Sequence, residues 1–152
     1  MNVQDLISTT IILLYGITFM MYLITGNVYH IIVAIGLWGT AGISEFIKHH
    51  IIKTYSPRPE GAFNCNVLCT DGSQAGKPGM PSSHAAASIF FVIMYWKYTK
   101  NPYVRTLLLI YYLLILQSRY FKNCHSIPQL IVGSLVGFST SAIVLKYTAR
   151  LL

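Results

Sequence analysis

Residues 6–26 read LISTTIILLYGITFMMYLITG and hold no Asp, Glu, Lys, Arg or His. A helix rises ~1.5 Å per residue, so this stretch is long enough to cross ~30 Å of hydrocarbon. It lacks the basic n-region and the small-residue cleavage site of a secretory signal, so it is expected to stay as mature structure. Working outward, the same texture recurs at residues 28–52, 83–98, 104–120 and 127–145. The turn-like Thr99-Lys100-Asn101-Pro102 joins the third and fourth of these into a helical hairpin. The block at 28–52 carries Gly36, Gly39 and Gly42, and the last block carries Gly133 and Gly137, small residues that let a neighbouring helix come close.

These blocks predict an all-α polytopic membrane bundle of about five transmembrane helices, with residues 1–152 forming one integral membrane domain. Of the whole chain 54% is hydrophobic and only 10% charged, which leaves no room for a soluble domain. The formal net charge of +7, from eleven basic and four acidic residues, reads as membrane anchoring and not as nucleic-acid binding, because no soluble surface exists to carry a groove for a duplex.

Five crossings put the N-terminus, the long connection 53–82 and the short connection 119–126 on one face. The opposite face receives Lys97, Lys100, Arg105, Lys146 and Arg150 and no acid, so it is expected to be cytoplasmic. The two connections then face the lumen, periplasm or exterior, with the endoplasmic reticulum one such setting. Cys65, Cys69 and Cys124 all fall on that side, where one pair could bridge and leave a thiol over; spacing leaves all three pairings open. A zinc site built from Cys65, Cys69 and Cys124-His125 is the weaker alternative.

The same connections gather Lys53, Arg58 and Arg119 as cations with His84 and His125 as groups titrating near neutrality, the residue types that hold and process a phosphate. Pro81-Ser82-Ser83-His84 stands where the third block starts. Either serine there can cap a helix whose free N–H groups favour an anion. Gly76 and Gly79 lend the approaching backbone freedom to wrap it. Lys48, Lys77 and Lys122 read instead as interfacial anchors.

Taken together, Arg58-Pro59, Pro81-Ser82-Ser83-His84 and Ser118-Arg119 with His125 six positions on resemble, in order and spacing, the three signatures of the type 2 phosphatidate phosphatase superfamily. That superfamily shares an all-helical core with vanadium haloperoxidases. Gly79-Met80 ahead of the second signature, and Gln129 four residues past His125, look most like dolichyldiphosphatases. In the family a lysine precedes the Arg-Pro arginine by seven positions, where this chain has Ile51; Lys53 is the expected replacement and Lys48 the alternative.

The resemblance implies hydrolysis of a polyprenyl diphosphate. His125 would be the nucleophile, giving a phosphohistidine, and His84 the general acid that later activates water. Lys53, Arg58, Arg119, the Ser82 hydroxyl and the amides around Ser83 would hold the phosphoryl oxygens. Gln129 would accept a hydrogen bond from the His125 ring and set its tautomer. Glu60 and Asp71 are too few acids for a two-metal cage, so hydrolysis is expected without metal or cofactor. The competing readings are a broader lipid phosphatase, acting on phosphatidate, phosphatidylglycerophosphate or undecaprenyl diphosphate, and a non-catalytic membrane scaffold or channel. The scaffold leaves the two histidines and paired arginines unexplained.

Overall fold

The computed structural model describes residues 2–148, so Arg150 lies outside the described residues. It is all-helical: α1 (Val3–Thr9), α2 (Ile11–Thr25), α3 (Val28–Phe46), α4 (Ser83–Tyr98), α5 (Pro102–Phe121) and α6 (Ile127–Thr148). The blocks read from the sequence coincide with these helices to within a few residues at each end. The first block is broken into α1 and α2 at Thr10, whose hydroxyl donates to the carbonyl of Ile7. α3 runs on as a π-helical segment, Ile47–Ile52, and then one 3₁₀ turn, Lys53–Tyr55.

The helix ends follow the local chemistry. Asn2 and Asp5 form a reciprocal capping box at the start of α1. Gly26 takes the left-handed conformation that ends α2, at φ 66°. Asn27, Ser82 and Asn101 cap α3, α4 and α5 through their side-chain oxygens, and Pro102 occupies the first turn of α5.

Three stretches are long and apolar enough to cross a membrane: Val3–Thr25, Val28–Tyr55 and Ile127–Thr148. Five helical rods are present, yet α4 and α5 fall outside that set, which refines the expected five. The reason differs for each. α4 has 16 residues and is the central element, with Ala85, Ala86, Ala87, Phe90 and Met94 buried against other helices and not facing lipid. α5 carries Arg105 near one end and Arg119 near the other. Outward-facing Ile24, Ile35, Trp38, Leu107, Leu135 and Phe138 form the apolar exterior that a bilayer would cover.

The glycines divide sharply. A Cβ on Gly137 would stand 2.1 Å from the Ala86 carbonyl oxygen, and one on Gly133 would stand 2.4 Å from that of Ser82, so α6 lies directly on the backbone of α4. Gly36 similarly accepts the Phe90 ring, 2.3 Å from where its Cβ would be. Gly39 and Gly42, expected to serve the same purpose, face open space.

At one end of the bundle the connection between Tyr55 and Ser83 folds back on itself. Arg58 N–H donates to Lys77 C=O, Gln74 N–H to Ala62 C=O and Asn64 N–H to Gly72 C=O, giving a short irregular ladder with bridges at Pro57–Pro78 and Phe63–Ser73. A Cys65–Cys124 disulfide fastens this ladder to the α5–α6 connection and leaves Cys69 as the free thiol. With both of those sulfurs bonded, the thiolates required by the zinc alternative are gone. Lys122, expected to anchor at the interface, is instead drawn inward to Asp5 of α1 at 2.7 Å, with the Asn64 carbonyl also at 2.7 Å. The ion pair ties the first helix to the end of α5.

Candidate active site

Under the ladder lies a cavity of about 360 Å³ whose walls include Lys48, Arg58, Ser83, His84 and His125. His84 comes from the first turn of α4, His125 from the connection ahead of α6, Lys48 from the π segment and Arg58 from the ladder. Segments far apart in sequence thus meet at one space. Both imidazoles are buried, and His84 Nε2 and His125 Nδ1 have no hydrogen-bond partner among the described residues.

The electrostatics favour an uncharged imidazole at His125. Burial, reinforced by the positive charges of Arg119, Arg58 and Lys48, holds the His125 imidazole well below its ordinary value. Burial also pushes the Arg58 guanidinium down, while Asp71 and Glu45 act in the opposite direction. The guanidinium reaches the Cys124 carbonyl at 3.4 Å through Nη1, and its Nε is unpartnered.

Several expected residues stand elsewhere. Lys53 follows the helix break, has φ 52° and is exposed, and it does not line the cavity. Lys48 does, with 3% of its surface exposed. The geometry explains the exchange: in the π segment Lys48 faces inward, whereas Ile51, three residues on, is 60% exposed, so position 48 and not 51 meets the cavity. Lys77, also read as an anchor, lines the cavity too. Replacing Lys48 by methionine is expected to raise KM for a phosphorylated substrate roughly 10-fold or more, the value of one charge-assisted hydrogen bond. Lys53→Met should leave KM within about twofold, and steady-state kinetics on the two variants side by side checks both.

Of the two serines that could cap α4, Ser82 does so, and its hydroxyl is thereby not the one on the cavity. The Ser82 side chain caps α4, accepting from Ala85 N–H at 3.4 Å, while its own N–H donates to the Gln129 carbonyl. It is the Ser83 hydroxyl that reaches the cavity. Arg119 is completely buried behind the wall, donating through Nη1 to Ser8 Oγ and through Nη2 to the Cys65 carbonyl, each at 2.5 Å. It therefore sets the local field and holds the ladder, without opening onto the cavity.

Gln129 lies beside His125 and works against the downward shift of its ring, while the amide's other hydrogen bonds run to the surrounding loop. Its Oε1 accepts from Ser126 N–H at 3.1 Å, and its Nε2 donates to the Pro57 carbonyl at 2.8 Å and to Ser56 Oγ at 3.0 Å. The amide clamps the start of the ladder to the start of α6. Gly79 passes so close above it that a Cβ there would be 2.6 Å from Nε2.

Glu45, His49, Asp71 and Gln74 also line the cavity, and none of them was expected from the sequence to hold the phosphate. For Glu45 a signal existed, since its spacing of three residues from Lys48 puts the two on one helix face. Beside the polar cavity, and sharing Glu45, Val67, Ser83 and His84 with it, an apolar groove of about 480 Å³ runs between α2 and α3 along Ile11, Ile12, Tyr15, Trp38, Ala41 and Ala87.

Residues 27–151 match the PAP2 superfamily, and the chain belongs to it. Its members are phosphatases acting on lipid-like phosphates, which, with the three apolar helices, makes this chain a membrane hydrolase of that class. No curated protein and no solved structure matches the chain.

Proposed function

We propose that the protein hydrolyses the terminal phosphate of a polyprenyl diphosphate, of the dolichyl type, through a phosphohistidine and without a metal ion. The observation that carries this reading is the junction of two unlike spaces, a cationic cavity holding both histidines and an apolar groove with His84 and Ser83 on the shared wall. An amphiphile with a phosphorylated head and a long hydrocarbon tail fits that pair.

His125 attacks the terminal phosphorus, an N–P bond forms and the bond to the bridging oxygen breaks. His84 supplies the proton to the departing lipid phosphate and then removes one from the water that hydrolyses the phosphohistidine. Lys48, Arg58 and Ser83 stabilise the charge on the equatorial oxygens, with Arg119 adding its field from behind. The site is assigned to the extracytoplasmic side. Support comes from the Cys65–Cys124 disulfide, a bond that persists in oxidising compartments, and from Lys97, Lys100, Arg105 and Lys146 at the other end of the bundle.

The test is phosphate release by the purified protein from a polyprenyl diphosphate and from phosphatidate, assayed in parallel with and without a chelator. Preference for the diphosphate, unchanged by chelation, is the expected result. Preference for phosphatidate would move the protein to the broader lipid phosphatases, and loss of activity in chelator restored by Mg²⁺ would overturn the metal-free mechanism.

A further inference from the structure

Within the cavity, one carboxylate sits among the groups that should receive an anion. Glu45 Oε1 accepts from Lys48 Nζ at 2.5 Å and from the Ser83 hydroxyl, and its Oε2 lies 3.2 Å from His49 Nε2. An ordinary helical ion pair would account for Glu45 with Lys48, three residues apart. It does not account for Ser83, which comes from another helix 38 positions away and points its hydroxyl at the same oxygen. Ammonium, hydroxyl and imidazole converging on two oxygens form a donor set that suits a phosphoryl group equally well.

We infer that Glu45 is a resident anion that occupies the phosphoryl-binding donors Lys48 and Ser83 and is displaced from them when the substrate's head group enters. This rests on the phosphatase reading above. A phosphoryl dianion and a carboxylate cannot share one ammonium at contact distance without strong repulsion, so one must leave.

The burial pattern says which of the two partners moves. The Lys48 side chain is 4% exposed, whereas that of Glu45 is 48% exposed and stands where the cavity meets the apolar groove. Lysine is fixed in the wall and the carboxylate has water to turn into. His49, itself more than half exposed, offers the carboxylate a neighbouring partner other than Lys48 and Ser83. Asp71, the other acid on the cavity wall, is differently engaged, its Oδ1 accepting from Asn66 N–H at 3.1 Å. The measured affinity for a head group is therefore what remains after Glu45 has been expelled.

Calorimetric titration of the purified full chain with inorganic phosphate tests this, using wild type, Glu45→Gln, Lys48→Met and the double variant. Glutamine keeps an acceptor for Lys48 and Ser83 but removes the competing charge. Glu45→Gln is expected to bind phosphate about tenfold more tightly than wild type, which is about 1.4 kcal/mol. In the Lys48→Met background the same change should give a much smaller gain, since the charged one of the two contested donors is absent.

Binding by Glu45→Gln that is equal to or weaker than wild type would overturn the inference and make Glu45 a support that positions Lys48. A gain undiminished by Lys48→Met would overturn it as well, because the carboxylate would then act at a distance and not by occupying the donor. Failure of the phosphatase reading looks different: neither phosphate binding by any of the four proteins nor phosphate release from any lipid, and the inference would fall with it.

Discussion

Replacing His125 by alanine is expected to reduce phosphate release on the order of 10³-fold or more, because in the proposed mechanism the nucleophile that forms the N–P bond is then removed and not merely misplaced. The ring is buried but contributes no side-chain hydrogen bond through Nδ1, so the variant should still fold, and thermal melting alongside the assay checks that. The wild-type pH profile carries a second expectation. Burial and the charges of Arg119, Arg58 and Lys48 lower the His125 pKa, so the ring of the free enzyme stays neutral as pH falls through the usual imidazole value of ~6.5. The acid limb of kcat/KM, which reports the free enzyme, should accordingly lie below pH ~6.5. A limb at or above that value would show that His125 titrates as an ordinary exposed histidine.

The second large effect concerns assembly. Gly137→Ala places a methyl group against the backbone of α4, 2.1 Å from the Ala86 carbonyl oxygen and 2.5 Å from Ile89 Cγ2. Backbone cannot step aside as a flexible side chain can, so the two helices must separate, at a cost of ~1–3 kcal/mol. Gly137→Leu should cost more and displace the first turn of α4, which bears Ser83 and His84, so that activity falls together with the melting temperature. Gly39→Ala is the control: nothing lies within 4 Å of its added Cβ, and alanine's better helix propensity should leave stability unchanged or raised by up to ~1 kcal/mol. Melting curves of the three variants in one detergent distinguish these outcomes.

The helices were legible in the sequence because long apolar blocks must bury or coat their backbone in hydrocarbon, and little else satisfies that requirement. Partners were less legible. Gly36 and Gly39 look alike in one dimension, yet only Gly36 meets a neighbour, since that depends on where α4 passes. The same holds for α4, whose central place shows only in the helices packed around it. At the site, proximity in sequence to Arg58 favoured Lys53, but the break after Ile52 turns that lysine outward and leaves Lys48 in the wall. The pairing of Cys65 with Cys124 and the use of Gln129 as a clamp for residues 56 and 57 are long-range facts that spacing does not contain. Histidines 84 and 125 were easier to read, because each is tied to a helix start that the hydrophobic pattern places at the same end of the bundle.

Arg119 is buried with Ser8 as one of its partners, 111 positions earlier, and Lys122 grips Asp5 close by. During synthesis the first helix therefore has to wait, unpaired on its polar side, until the fifth emerges and supplies a guanidinium and an ammonium. Contacts of such long sequence separation form late and slowly. A ribosome-bound chain that ends before residue 119 would hold its first helix only through the continuation into α2, and competence would appear only once the last third of the polypeptide has been inserted.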